Sequence, residues 1–195
     1  MKKGIKYALA IFSGCLFISL TYIKYKTTYR GSDKIILLNE GKEYTSIQDI
    51  IGRPQFKNKV IYVDIWGTSC PPCFEELKKY TPRLTSRYKD STDMAFLYIC
   101  IDVHPFPQMR WKEKIKQLEP LGYHVLVEEK AEKKLAEDII GQAVDGKYFP
   151  YIPCYFIVDK KGNIVKRPTL DPERGELLPS TINRLYNKLD SVRHL

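Results

Sequence analysis

The chain has 195 residues, with 32 basic and 23 acidic side chains and a formal charge of +9, and that length suits one domain with a substantial core behind an N-terminal segment. Six basic groups (Lys2, Lys3, Lys6, Lys24, Lys26 and Arg30) lie in residues 1–30, which contain no acid, so the remainder carries 26 basic residues against 23 acidic ones. The basic character therefore belongs to the N-terminus, and without a basic stripe interleaved with aromatics elsewhere a nucleic-acid partner is excluded.

From Tyr7 to Ile23 run 17 residues without a charge, bracketed by Lys2, Lys3 and Lys6 on one side and Lys24 and Lys26 on the other. This is the lower limit for crossing a bilayer as one helix, so residues 1–26 are expected to be an N-terminal transmembrane helix serving as a membrane anchor or signal. Two alternatives stand beside a retained anchor. One is a cleaved secretory signal, although no small-x-small site follows the apolar run. The other is a lipoprotein signal ending at Cys15, for which Ser13 and Gly14 are suitably small, although Leu16-Phe17-Ile18 continues the apolar run. Each alternative carries the rest of the chain across a membrane.

Residues 27–44 read as a polar tether followed by a first strand, Ile35 to Leu38, and residues 45–195 as the domain proper. Ser46 to Gly52 predicts a short helical turn ended by glycine. Val60 to Ile65 is short and dense in β-branched residues, which predicts a buried strand. The run Trp66-Gly67-Thr68-Ser69-Cys70-Pro71-Pro72-Cys73 follows, then one helix predicted from Cys73 to Tyr88 by the apolar spacing of Phe74, Leu77, Tyr80, Leu84 and Tyr88. A second buried strand is predicted over Met94–Val103, a helix over Gln108–Leu118, a short strand over Tyr123–Val127 and a helix over Ala131–Ile140. Cys154–Val158 and Ile164–Lys166 flank the turn residues Asp159 to Asn163 and predict a hairpin, and a last helix covers Glu176 to Leu189. Strands that alternate with helices and end in a hairpin predict an α/β fold: a mixed sheet flanked by helices.

The chain has five cysteines, Cys15, Cys70, Cys73, Cys100 and Cys154, too few for a disulfide-stapled scaffold, and only Cys70 and Cys73 are close in sequence. A Cys-x-x-Cys pair serves either metal binding or dithiol-disulfide exchange. Structural zinc commonly takes two such pairs, or one pair with closely spaced histidines, whereas this chain has no second pair and its His104, His124 and His194 are scattered. No metal site and no organic cofactor are expected. The pair sits where a buried strand gives way to a helix, so Cys70 lies at a helix N-terminus, where unpaired N–H groups and the helix dipole favour a thiolate. Cys70 is then the attacking nucleophile, and Cys73, one turn on, is placed to resolve a mixed disulfide. Pro71 and Pro72 are compatible with a first helical turn, whose N–H groups have no intrahelical partner.

Val63-Asp64-Ile65-Trp66 followed by Cys70-Pro71-Pro72-Cys73 resembles the active-site strand and loop of thioredoxins. The run from Pro153 to Ile164, Pro-Cys-Tyr-Phe-Ile-Val-Asp-Lys-Lys-Gly-Asn-Ile, resembles the later strand-turn-strand of the TlpA/ResA branch, which comprises membrane-anchored or secreted thioredoxin-like proteins. The resemblance covers residues 45–190 and implies a thioredoxin-like fold and thiol-disulfide oxidoreductase activity on the far side of a membrane, the periplasmic side. It implies cysteine-containing exported proteins as substrates and a membrane electron donor for recycling. It also implies roles for particular residues. Pro153 corresponds to a proline that is cis and faces the dithiol, with Pro150 as a competitor for that place, and Ile152 would present its backbone to substrate. Asp64 corresponds to a buried acid that relays a proton to or from Cys73, while strand alternation leaves open which face it takes. Trp66 corresponds to a tryptophan packed near the pair, and Pro71 and Pro72 border the substrate.

This chain departs from the family at Ser69, where thioredoxins usually carry an aromatic before the first cysteine, so the docking surface there is smaller and more polar. Cys154 is the second departure. It is either a small buried residue of the strand or a third thiol able to join Cys70 and Cys73 in an alternative disulfide or a metal site. Cys100, mid-strand, reads as inert core. His104-Pro105-Phe106-Pro107 either lines the cleft at the C-terminal sheet edge or forms a plain loop. Tyr148, Phe149 and Tyr151 form either an apolar docking patch or packing under a loop. Two other functional classes stand beside exchange. A metal-binding or assembly factor of the same fold usually has a wider cysteine spacing and a distal histidine, and a peroxidase requires a Pro-x-x-x-Thr-x-x-Cys pattern that is absent.

Overall fold

A computed structural model describes residues 12, 13, 15, 19, 29–38, 44–102, 104–127, 129–140, 152–166 and 187–194. Seven strands form one mixed sheet: β1 (Gly31–Ser32), β2 (Ile35–Leu37), β3 (Val60–Trp66), β4 (Met94–Ile101), β5 (Gly122–Val127), β6 (Cys154–Val158) and β7 (Ile164–Lys166). Their spatial order is β1-β2-β5-β4-β3-β6-β7. The pairings of β2, β5, β4 and β3 are parallel, and those of β1 with β2, β3 with β6 and β6 with β7 are antiparallel. Parallel neighbours cannot be joined by a tight turn. The links from β3 to β4 and from β4 to β5 are accordingly helical, through α2 (Pro71–Lys79) and α3 (Thr81–Arg87), then α4 (Pro107–Leu118).

β3 is buried at all seven positions, the pattern of a central strand covered on both faces. Ile61, Val63 and Ile65 point to one face, where they join α1 (Ile47–Ile51) through Ile47, Ile50 and Ile51, and α5 (Glu129–Ile140) through Leu135, Ala136 and Ile139. We call this the back face. Val60, Tyr62 and Trp66 point to the front, against Leu84 and Tyr88 of the α3 region, Cys73 and Leu77 of α2, and Trp111 and Ile115 of α4. Leu189 and Val192, on a helix over residues 187–193, complete the front core. Each face is thus sealed by helices, and the front face carries the cysteine pair.

The single helix expected from Cys73 to Tyr88 is two helices, α2 and α3, broken at Tyr80. Pro82 accounts for the break, because it has no N–H to donate and its ring excludes the carbonyl four residues earlier. Tyr80 closes α2 by donating its N–H to the Glu76 carbonyl at 2.9 Å and opens α3 by accepting from Leu84 N–H at 3.2 Å. The other predicted elements keep their places within two residues at each end where described, except the last helix, which was expected to end at Leu189 and runs on to residue 193. Two short pieces were not anticipated: β1, and a 3₁₀ turn over Pro54–Phe56. Of the apolar N-terminal run, Phe12, Ser13, Cys15 and Ser19 are described, and they are helical and exposed. Among the described residues no helix is long and apolar enough to cross a membrane. The predicted helix from Glu176 lies outside the described residues until residue 187.

Candidate active site

The chain leaves the C-terminal end of β3 at Trp66, turns through Gly67, Thr68 and Ser69, and enters α2 at Cys70. Cys70 is the N-cap of α2, and the Cys73 N–H donates to its Sγ at 3.2 Å. Pro71 and Pro72 occupy the first helical positions, where no N–H is required. Cys70 and Cys73 are joined as a disulfide with their Cα atoms 5.3 Å apart. The two sulfurs are not equivalent: Cys70 keeps 7% exposure and Cys73 only 1%.

Ile152 and Pro153 approach this loop from the start of β6. Their peptide bond is cis, and the Ile152 carbonyl oxygen lies 3.6 Å from Cys70 Sγ. Pro150, the alternative, lies outside the described residues, as do Tyr148, Phe149 and Tyr151. The approach leaves little room at Gly67: a Cβ there would lie 2.9 Å from Ile152 Cδ1, which would have to turn aside, and 3.3 Å from the Ile101 carbonyl oxygen. A cleft of about 460 Å³ opens here, lined by Gly67, Ser69, Cys70, Pro72, Ile101, His104 and Ile152 among others. His104 therefore lines the cleft. Trp66 lies beneath the pair, fully buried in the same core cluster as Cys70 and Cys73.

Asp64 alternates with Tyr62 and Trp66 and so takes the front face, against which α2 packs. It is 1% exposed, and its Oδ1 has no hydrogen-bond partner among the described residues. Loss of hydration disfavours the carboxylate and raises its pKa to about 7. Glu76, three residues after Cys73, is buried as well. Burial pushes the Tyr62 hydroxyl far up, and the nearby Asp64 and Glu76 charges push it further.

Cys154 lies opposite Ile65 in the β3–β6 register, and both side chains belong to the back-face core, whereas Cys70 and Cys73 belong to the front-face core. Burial, then the charges of Asp64 and Glu76, hold its thiol strongly protonated. This is the placement of a small core residue. Cys100 is fully buried and is likewise held protonated, chiefly by burial. Among the described residues, no three His, Cys, Asp or Glu side chains converge as a metal ligand set would.

Sequence reasoning missed Glu76, Asp102 and Arg110. Glu76 had a signal: it sits with Cys73, Leu77 and Tyr80 on the stripe that α2 turns to the core, where an acid is out of place. Asp102 and Arg110 had none, because their bonds to Thr68 and Ser69 join three separate chain segments.

The Redoxin family model matches residues 52–186. No curated protein matches the chain. Among solved structures, the thioredoxin domain of a thiol-disulfide oxidoreductase from Bacteroides vulgatus is 21% identical with a TM-score of 0.51, over 69% of this chain and 81% of that one. A thiol-disulfide oxidoreductase from Bacteroides fragilis is 20% identical with a TM-score of 0.52, over 69% and 87%. At this identity the likeness is one of fold, and it covers most of each relative.

Proposed function

Given that the chain belongs to the redoxin family, we propose that it is a thiol-disulfide oxidoreductase that exchanges disulfides with cysteine-containing exported proteins through its Cys-Pro-Pro-Cys dithiol. One observation carries the reading: a bonded pair of cysteines at a helix N-terminus, with one sulfur at the floor of an open cleft and the other sealed behind it.

In the reducing direction, the Cys70 thiolate attacks one sulfur of a substrate disulfide. A Cys70–substrate bond forms, the substrate S–S bond breaks, and the departing substrate thiolate takes up a proton. Cys73 then loses its proton and attacks Cys70 Sγ. This forms the internal disulfide and releases the second substrate thiol, so two electrons pass from the dithiol to the substrate. In the oxidising direction the same steps run backwards. The Cys73 N–H that already points at Cys70 Sγ is suited to stabilise the thiolate, as is the N-terminal end of α2. Asp64, with a pKa near neutrality, is matched to take the Cys73 proton. The Ile152 carbonyl, beside the attacking sulfur, is suited to align an extended substrate as an added strand, while Pro72 lines the cleft and Trp66 backs the pair from the core.

The apolar run from Tyr7 to Ile23, flanked by lysines, supports a retained membrane anchor with the domain held outside the cytoplasm, where a membrane electron donor recycles the pair. Cleavage of the segment and lipidation at Cys15 are the competing fates. Fractionation of the full chain, with intact-mass measurement of its N-terminus, separates the three.

Reduction of insulin disulfides by dithiothreitol in the presence of the protein tests the exchange reading. Cys70→Ser is expected to abolish acceleration, and Cys73→Ser to accumulate a mixed disulfide through Cys70. Full activity after replacement of both cysteines would refute it. Stoichiometric binding of copper or zinc without exchange activity would favour the metal-binding alternative instead.

A further inference from the structure

We propose that Arg110 is a positioning residue of the dithiol: it ties the loop carrying Cys70 to helix α4 and fixes a positive charge beside the nucleophile. The inference rests on the exchange reading and adds to it a residue outside the cysteine motif.

The anchor of the arrangement is Asp102, just past the end of β4, whose side chain is 1% exposed. A carboxylate so far from water must be satisfied by donors. The Thr68 hydroxyl donates to its Oδ2, the His104 N–H donates to Oδ1 at 3.0 Å, and Arg110 Nε lies 3.5 Å from Oδ2. Arg110 sits in the first turn of α4, and its guanidinium reaches back over the loop. Nε donates to Thr68 Oγ1 at 3.2 Å and Nη2 to Ser69 Oγ at 2.7 Å. Nε and Nη2 form one edge of the planar guanidinium, so a single rigid fork grips two consecutive residues, the second adjoining Cys70. A lysine ammonium has no such fork.

A buried ion pair is a poor source of stability, since apolar replacements often do as well. This pair instead sets the orientation of the Thr68-Ser69 turn. Its cationic end is 38% exposed and bonded to Ser69, a residue of the cleft lining, while its anionic end is sealed inside. The other charged or titratable groups around Cys70, among the described residues, come from each packed element. His104 stands at the cleft wall, Lys114 of α4 sits over the Phe74 ring at 4.6 Å, and Asp64 of β3 and Glu76 of α2 lie in the front-face interior. The two interior acids and Asp102 oppose a thiolate. Arg110 is the cation tied by hydrogen bonds to the loop itself.

The test is the pH dependence of iodoacetamide alkylation at Cys70 in the reduced full chain, followed by mass spectrometry, with thermal unfolding recorded alongside. Arg110→Gln is expected to slow alkylation at pH 7 about threefold and to move the profile to higher pH, because a thiolate loses a neighbouring cation. Arg110→Lys keeps the charge without the fork and is expected to recover less than half of that loss. Ser69→Ala removes only an exposed acceptor, and is expected to shift the profile in the same direction by a smaller amount. An unchanged profile in Arg110→Gln overturns the proposal, as does complete recovery in Arg110→Lys. Should Arg110→Gln fail to fold, an unchanged profile in Ser69→Ala overturns it. Alkylation requires no turnover, so a wild-type protein inactive on insulin would sink the exchange reading and leave this comparison readable.

Discussion

Replacing Asp64 with Asn should make the protein more stable in alkaline buffer and slower as an oxidoreductase. Burial lifts the Asp64 pKa from the ordinary carboxylate range to about 7. The unfolded chain ionises the group near pH 4, so between about pH 4 and 7 the folded state binds the extra proton. Folding stability therefore falls as pH rises through that window and levels off above it. About three decades of proton affinity at 1.36 kcal/mol each amount to about 4 kcal/mol, an upper bound because a relaxing interior recovers part of it. Asn cannot ionise and escapes this loss. Urea unfolding of the oxidised protein at pH 4, 6 and 8.5 should show the Asp64→Asn advantage growing from near zero to about 2–4 kcal/mol, or about 10 °C in melting temperature. The same variant should resolve a Cys70 mixed disulfide about a hundredfold more slowly at pH 7, the usual loss when a positioned base is removed. Parallel stability curves for the two proteins across this range would show that the carboxyl is hydrated, and the argument for its proton-relay role would fail with it.

Gly67→Ala places a methyl against Ile152 and the Ile101 carbonyl. A cost of about 1 kcal/mol is expected, with KM for a disulfide-bonded peptide rising about threefold as Ile152 turns away; an unaltered KM would show that the substrate does not use this wall. Cys154→Ala removes a sulfur from the back-face core and should cost about 1–2 kcal/mol in urea unfolding while leaving exchange rates unchanged. Lost activity in this variant would return Cys154 to the site. In the reduced protein at pH 8, brief alkylation should label Cys70 and spare Cys100 and Cys154, whose thiols burial keeps protonated. His124, stacked on Tyr98 with ring centroids 4.8 Å apart and Nε2 donating to the Pro120 carbonyl, has its pKa lowered to about 4 by burial. The unfolded chain then binds the extra proton between about pH 6.5 and 4, so stability is lost as pH falls through that window, by about 3 kcal/mol in all. An imidazole resonance that titrates above pH 6 would contradict this.

The cysteine pair and the order of elements were legible in the sequence because both are written locally. A β-branched run such as Val60–Ile65 has few uses other than a buried strand, and a Cys-Pro-Pro-Cys at its end can only begin a helix or a turn. The break at Pro82 was legible by the same local chemistry, yet the apolar spacing on either side of it suggested one continuous stripe. The face taken by Asp64 was not legible, because every residue of β3 is buried and a strand covered on both sides carries no polar alternation. Cys154 was ambiguous for the same reason: Ile152, two residues before it, meets the dithiol loop, and only the pairing with Ile65 assigns the thiol to the other face.

By itself, then, the sequence marked out the candidate chemistry: two thiols at helical spacing and a strand to present them. The tertiary structure alone decided their surroundings. It set which sulfur meets the cleft, which carboxyl loses its water, and which guanidinium reaches over the loop, from Arg110 to Ser69, 41 residues apart along the chain. The physical reason is range. Propensity and periodicity act over a few residues, whereas hydration and charge act through space, and their values exist only once the faces of the sheet have been covered.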